Sequence, residues 1–176
     1  MVEQAVLDRK YEQVDKLVRK FESHYEQYIK ASYNEDNTRA DFIDPLFRIL
    51  GWDVGNKKGY AEQYRDVVRE DKIRIRDNLK APDYSFRLAG VRKFFVEAKK
   101  PSVNIKEAKE PAFQLRRYGY TAKLPLSILT DFQEFAIYDT RIKPDKDDKA
   151  GTVRDFYCRY DELLKNYNQE TYFSFF

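Results

Sequence analysis

The chain is poor in the residues that many enzymes recruit for chemistry. Its 176 residues include one cysteine, Cys158, and one histidine, His24. A lone cysteine forms no intrachain disulfide and builds no Cys-rich zinc site. One histidine excludes a His-rich metal centre and sets a His-based triad aside. No apolar run approaches the ~18 residues that span a bilayer. Asp8, Arg9 and Lys10 interrupt the opening segment too early for the core of a signal peptide. With 36% charged residues and a mean hydropathy of −0.80, the composition reads as a soluble protein of a reducing cytoplasm. Catalysis in such a chain falls to carboxylates, Lys, Tyr, Ser/Thr and Arg.

The net charge of +3 says little, but its distribution says more. Between Arg92 and Lys123 there are nine Lys/Arg against three acids, and the rest of the chain sums to −3. A local basic surplus suits a polyanion such as DNA. A solvated helix face is the plainer explanation of the same residues.

Leu7, Tyr11, Val14, Val18, Phe21, Tyr25 and Tyr28 recur at spacings of three and four, which predicts one amphipathic helix over about residues 3–30. Asn34 and Asn37 are candidate N-caps for a second helix that stops at Gly51. Pro45 lies inside it and should kink it or start a new turn. Strands are expected near Tyr64–Arg69 and Ile73–Arg76, then a hairpin over Ala81–Pro101 and a helix over 104–122, weakened toward its end by Gly119. Two short strands, "PLSILTD" and "EFAIYDT", a charged surface loop "IKPDKDDKAG", a last strand "TVRDFYCRY" and a short helix complete the order. That order predicts an α/β fold with a mixed sheet.

The hairpin carries the chemistry. With its turn at Gly90, paired positions sum to 180 and Asp83 faces Glu97. One face then holds Tyr84, Phe86 and Leu88 against Phe94, Val96 and Ala98. The other collects Asp83, Glu97 and Lys99. Directly opposed carboxylates repel, and a divalent cation between them resolves the conflict. Hard oxygen ligands point to Mg²⁺, with Mn²⁺ as a substitute. A lysine beside such a cation can orient or deprotonate a water, or stabilise the charge of a phosphoryl transition state. The pattern Asp/Glu-x-Lys alone has no weight, since it starts at Asp8, Glu70, Glu97, Glu107 and Asp147. Only Glu97 closes an apolar strand with a Pro-Asp arm beside it. A surface hairpin with a cross-strand salt bridge such as Asp83–Lys99 is the structural alternative.

"PD" at 82–83 and "EAK" at 97–99 resemble the PD-(D/E)xK nuclease superfamily. More specifically, the chain resembles the N-terminal endonuclease region of type I motor subunits and of fused type IIG endonuclease–methyltransferases. "NEDNTRADFIDPLFRILGWDV" (34–54) is similar to their first helical motif, E-x-x-T-R followed by an apolar helix. "FVEAKKP" (95–101) is similar to their catalytic strand, and "QLRRY" (114–118) to the Q-x-x-x-Y motif. The resemblance covers about residues 34–140.

The resemblance implies a restriction-endonuclease-like core, a central mixed sheet flanked by helices, preceded by the long N-terminal helix. It also implies an Mg²⁺-dependent endonuclease acting on double-stranded DNA. Asp83, Glu97 and Lys99 would be catalytic. Asp83 and Glu97 would hold the metal, joined by the Ala98 carbonyl and by Glu35, for which Asp36, Asp41 and Asp44 are close competitors. Gln114, Tyr118, Arg116, Arg117 and Lys100 would touch DNA or order the site, although the side chain of Lys100 should point away from it.

The implied organisation is one nuclease domain over 1–176: an N-terminal helix (1–33), the core (34–140), and a last strand leading into a connector (141–176). The chain ends on "YFSFF", an apolar terminus where a solvated one is usual. It therefore reads as part of a larger protein with methyltransferase and DNA-recognition domains, or a motor domain. A catalytically inactive nucleic-acid-binding or assembly module on the same fold, and a stand-alone repair nuclease, are the competing functions.

Overall fold

A two-residue turn at the centre of the chain organises the fold. The computed structural model describes residues 2–75 and 77–164. In it β4 (Tyr84–Leu88) and β5 (Val91–Ala98) pair antiparallel around Ala89 and Gly90. Both turn residues have positive φ, 49° and 81°, the backbone of a tight hairpin. A Cβ at Gly90 would lie 2.9 Å from the Gln63 carbonyl oxygen, so glycine is required there twice over.

The expected register holds where it matters. Tyr84 pairs with Val96, Ser85 with Phe95 and Phe86 with Phe94. It then shifts, so that Arg87 pairs with Arg92 and Leu88 with Val91. Strict symmetry about Gly90 would leave a one-residue turn. The chain takes the two-residue turn and absorbs the offset as a bulge at Phe86/Arg87. In consequence Leu88, expected in the core, is exposed at 54%.

Around this hairpin stands a six-stranded sheet. Its other members are β1 (Val67–Arg69), β6 (Leu126–Thr130), β7 (Glu134–Asp139) and β8 (Arg154–Arg159). The order is β1-β4-β5-β6-β7-β8, with only β5–β6 parallel. That parallel step needs a crossover, supplied by the α-helix Lys109–Thr121. A separate hairpin pairs β2 (Ile73–Ile75) with β3 (Asn78–Lys80). β3 was not expected, because its three residues are all exposed and show no apolar alternation.

Helices cover both sheet faces. On the N-terminal side are α1 (Val2–Ser23), α2 (Tyr25–Tyr28), α3 (Glu35–Thr38) and α4 (Asp44–Leu50), and the crossover helix is α5. The expected 3–30 helix is interrupted at His24, whose φ of −128° leaves the helical region. The aromatic stripe still converges, since Phe21 stacks on Tyr28 at 5.5 Å and meets Phe42 edge-on at 5.2 Å. Asn34 caps α3 by accepting the Asn37 N–H at 2.8 Å. Between α3 and α4 the chain makes a π-helical turn, Arg39–Ile43, and Pro45 then opens α4, where its missing N–H costs nothing. The helix ends at Gly51, as the sequence predicts.

Phe94, Val96 and Ala98 of β5 pack with Tyr84, Phe86, Ile43 and Phe47. Phe95 faces the opposite side, against Ile105, Leu115 and Tyr118. The second face is therefore also core along most of its length, and only its last residues open onto the site. α5 begins at Lys109 rather than 104, because residues 104–108 form a turn in which Ile105 is buried and donates its N–H to Glu134. Gly119 does not weaken the end of α5. It lets the helix approach β7, as a Cβ there would lie 2.6 Å from Thr140. The terminal "YFSFF" lies outside the described residues.

Candidate active site

Three elements place the candidate side chains: the C-terminal end of β5, the residue before β4, and the first turn of α3. Asp83 precedes β4 and is anchored by the Glu70 N–H, which donates to its carbonyl at 3.1 Å. Its carboxylate reaches across to β5, where Oδ2 accepts the Ala98 N–H at 2.7 Å. Oδ1 accepts Arg39 Nη1 at 3.0 Å, and Arg39 also binds Asp36. Glu97 follows Val96 in the core and turns its side chain the other way, toward Lys99 and α5. Its Oε1 accepts Lys99 Nζ at 3.0 Å and Gln114 Nε2 at 3.3 Å. Lys99 Nζ lies 3.5 Å from Glu35 Oε2.

Asp83, Glu97, Lys99 and Glu35 thus converge, as do Gln114 and Arg39. Lys99 pairs with Glu97 and Glu35, so the Asp83–Lys99 bridge weighed as the structural alternative is not the one formed. Of the four acids competing on the first helical motif, Glu35 is the one that reaches Lys99. Asp36 binds Arg39, Asp41 accepts the Tyr33 hydroxyl, and buried Asp44 accepts Tyr84 and Arg69.

The electrostatics are those of acids crowded together and partly buried. Burial pushes the Glu97 carboxyl up to about 7, and the charge of Asp83 adds to this while Lys99 opposes it. Burial also raises Glu35 against the pull of Lys99. For Lys99 burial works against the charge, but Glu97 and Glu35 outweigh it and hold the ammonium protonated.

Among the described residues no three carboxylates, cysteines or histidines are grouped tightly enough to hold a metal, because Lys99 and Arg39 stand between the acids. The donor set nevertheless fits a hard divalent cation. Arg39 is shared by Asp83 and Asp36, and Lys99 by Glu97 and Glu35, so the acids outnumber the cations. Glu97 Oε2 is buried without a hydrogen-bond partner. A buried carboxyl oxygen in that state takes up a proton, as the raised Glu97 pKa reflects, or meets a cation.

Residues 65–146 match the family described as the type I restriction enzyme R protein N terminus. The chain is also 43% identical over 162 residues, 91% of its length, to the type II restriction enzyme and methyltransferase RM.Eco57I of Escherichia coli. It spans 16% of that relative's length. The chain is thus similar to the N-terminal region of a restriction enzyme subunit and to part of a restriction enzyme fused to a methyltransferase. No solved structure matches it.

The remaining candidates divide. Gln114 and Tyr118, four apart on α5, turn inward: Gln114 donates to Glu97, and Tyr118 is buried beside it, its hydroxyl pushed up by burial and by Glu97. Arg116 is not a cation offered to DNA. It is 1% exposed and bound to Asp148 at 2.7 Å, because at its position the helix faces the sheet side. Arg117 lies over the Phe113 ring on the outer flank. Lys100 points away from the cluster and donates to the Ala31 carbonyl at 3.4 Å.

Arg39 was missed as a site residue. The signal was present, since it closes the E-x-x-T-R motif. Nothing in the sequence, however, tells that an arginine on a π-helical turn reaches a carboxylate 44 positions away.

Proposed function

We propose that this domain is an Mg²⁺-dependent endonuclease of a cytoplasmic restriction–modification protein, hydrolysing phosphodiester bonds of duplex DNA and leaving a 5′-phosphate. The observation that carries the reading is the convergence of Asp83, Glu97, Lys99 and Glu35, with Glu97 Oε2 buried and without a partner. Asp83, Glu97 and the Ala98 carbonyl would hold the cation, with Glu35 at its edge. Bound there, it would supply positive charge to the scissile phosphate. Lys99, an ammonium between two carboxylates, is placed to donate to a phosphate oxygen as charge builds in the transition state. Gln114 fixes the Glu97 carboxylate, and Arg39 with the Ala98 N–H fixes Asp83. For Asp83 to hold the cation through Oδ1, Arg39 would have to release that oxygen.

The chain is read as one nuclease domain, with sequence recognition supplied by other parts of the protein. The relative is named as both restriction enzyme and methyltransferase, which supports a fused architecture and counts against a stand-alone repair nuclease. One observation favours a non-catalytic binding module instead: both Asp83 oxygens are already engaged, by Arg39 and by the Ala98 N–H. Calorimetric titration with Mn²⁺ separates the two. The nuclease reading expects a site that Glu97→Gln and Asp83→Asn each weaken, and the module reading expects none.

A further inference from the structure

We infer that a basic groove on the outer flank of α5 holds the backbone of the duplex being cut. This inference rests on the reading of the neighbouring cluster as a DNA nuclease. The groove, of about 490 Å³, lies between the β2–β3 hairpin, α5 and the charged loop that follows β7. Lys80 comes from the hairpin, Arg117 from the helix, and Lys143 and Lys146 from the loop. Among the described residues none of the four takes part in an ion pair, whereas Arg39, Lys99 and Arg116 are all paired. The one acid in the lining, Asp145, has its carboxylate capped by the Asp147 N–H at 2.9 Å.

Two further observations suit a nucleic-acid backbone. Arg117 Nε is buried without a hydrogen-bond partner, although the guanidinium stands over Phe113 at 5.7 Å. Tyr120, 40% exposed, adds a second aromatic wall to the lining. Position matters as much as charge. On α5, Gln114 and Arg117 are neighbours at i,i+3. Gln114 touches Glu97 and Arg117 opens the groove. α5 thus runs from the cluster, at Gln114, to the groove, at Arg117 and Tyr120, and a duplex seated on the cluster would lay a strand's phosphates along its cations. Cations that meet phosphates release counterions, and the dependence of affinity on salt counts them.

The test measures binding of a labelled mixed-sequence duplex to the full chain in EDTA, over a series of KCl concentrations. The triple variant Lys80→Ala/Lys143→Ala/Lys146→Ala should lower the salt slope by about 0.9 for each lysine that meets a phosphate. The matching Lys→Arg variant should keep the slope. An unchanged slope in the alanine variant overturns the inference and assigns the groove to another partner, such as an acidic protein surface. A wild-type chain that binds no duplex overturns it equally. Cleavage separates this result from the nuclease reading. A reduced slope in a protein that never cleaves leaves the groove standing and removes the nuclease. An unchanged slope in a protein whose cleavage needs Lys99 does the reverse.

Discussion

Arg39 and Asp83, 44 residues apart, form an ion pair at 3.0 Å in which both side chains are largely shielded from solvent. The same carboxylate takes the Ala98 N–H, so one residue ties the first helical motif to the end of β5. Arg39→Ala leaves Asp83 Oδ1 without its donor. In urea denaturation without metal, a loss of about 1–2 kcal/mol is expected. Arg39→Lys should recover part of it, since a lysine restores the charge but not the reach to both Asp36 and Asp83.

Gln114 and Tyr118 turn toward Glu97 rather than outward, which predicts an effect on cleavage and not on DNA affinity. Gln114→Ala removes a donor from Glu97 and should slow cleavage by about tenfold, the range expected for partners behind a metal ligand. Duplex affinity in EDTA should not change. A variant that cleaves normally but binds DNA weakly would return Gln114 to the DNA-facing role suggested by its sequence context.

Gly119→Ala tests the approach of α5 to β7. Helix propensity favours alanine by about 1 kcal/mol. The new Cβ, however, would lie 2.6 Å from Thr140, which is buried and donates to the Leu124 carbonyl at 2.7 Å. Packing should win, with a net loss of about 1–3 kcal/mol in chemical denaturation. An alanine variant as stable as wild type would show that α5 can withdraw at no cost.

Asp71 makes acid stability testable away from the site. It binds Arg92 through both oxygens at 2.7 Å, and Arg87 at 2.6 Å. Burial opposes its charge, but the hydrogen bonds from Arg92 and Arg87 outweigh it and bring the carboxyl from 3.8 down to about 2. A folded pKa below the unfolded one contributes stability that is present above about pH 4 and lost as pH falls through about 2. Asp71→Asn should therefore be less stable than wild type at pH 7, and the gap should close between pH 4 and 2. A constant gap across that range would contradict the ion-pair assignment.

Much of this was legible in the sequence because it depends on local spacing. Period-two alternation placed Phe94, Val96 and Ala98 in the core, and the turn at Gly90 put Asp83 beside the end of β5. Motif order brought Glu35 and Gln114 to the same place. What stayed hidden depends on tertiary approach. The π-helical turn that aims Arg39, the bulge that expels Leu88 and the fit of Gly119 against Thr140 arise when elements meet. Arg116 shows the same limit. "QLRRY" offers two arginines in a row, and only the rotation of α5 on the sheet decides that Arg116 is buried against Asp148 while Arg117 lies on the groove.

Lys99 and the carboxylates around it are proposed to break phosphodiester bonds. Nicking of supercoiled plasmid by the protein carrying this chain, wild type against Lys99→Ala, tests this most directly. Mg²⁺ should support nicking by wild type and EDTA should stop it. Lys99→Ala should bind the plasmid as wild type does and leave it supercoiled. Undiminished nicking by Lys99→Ala would contradict the account.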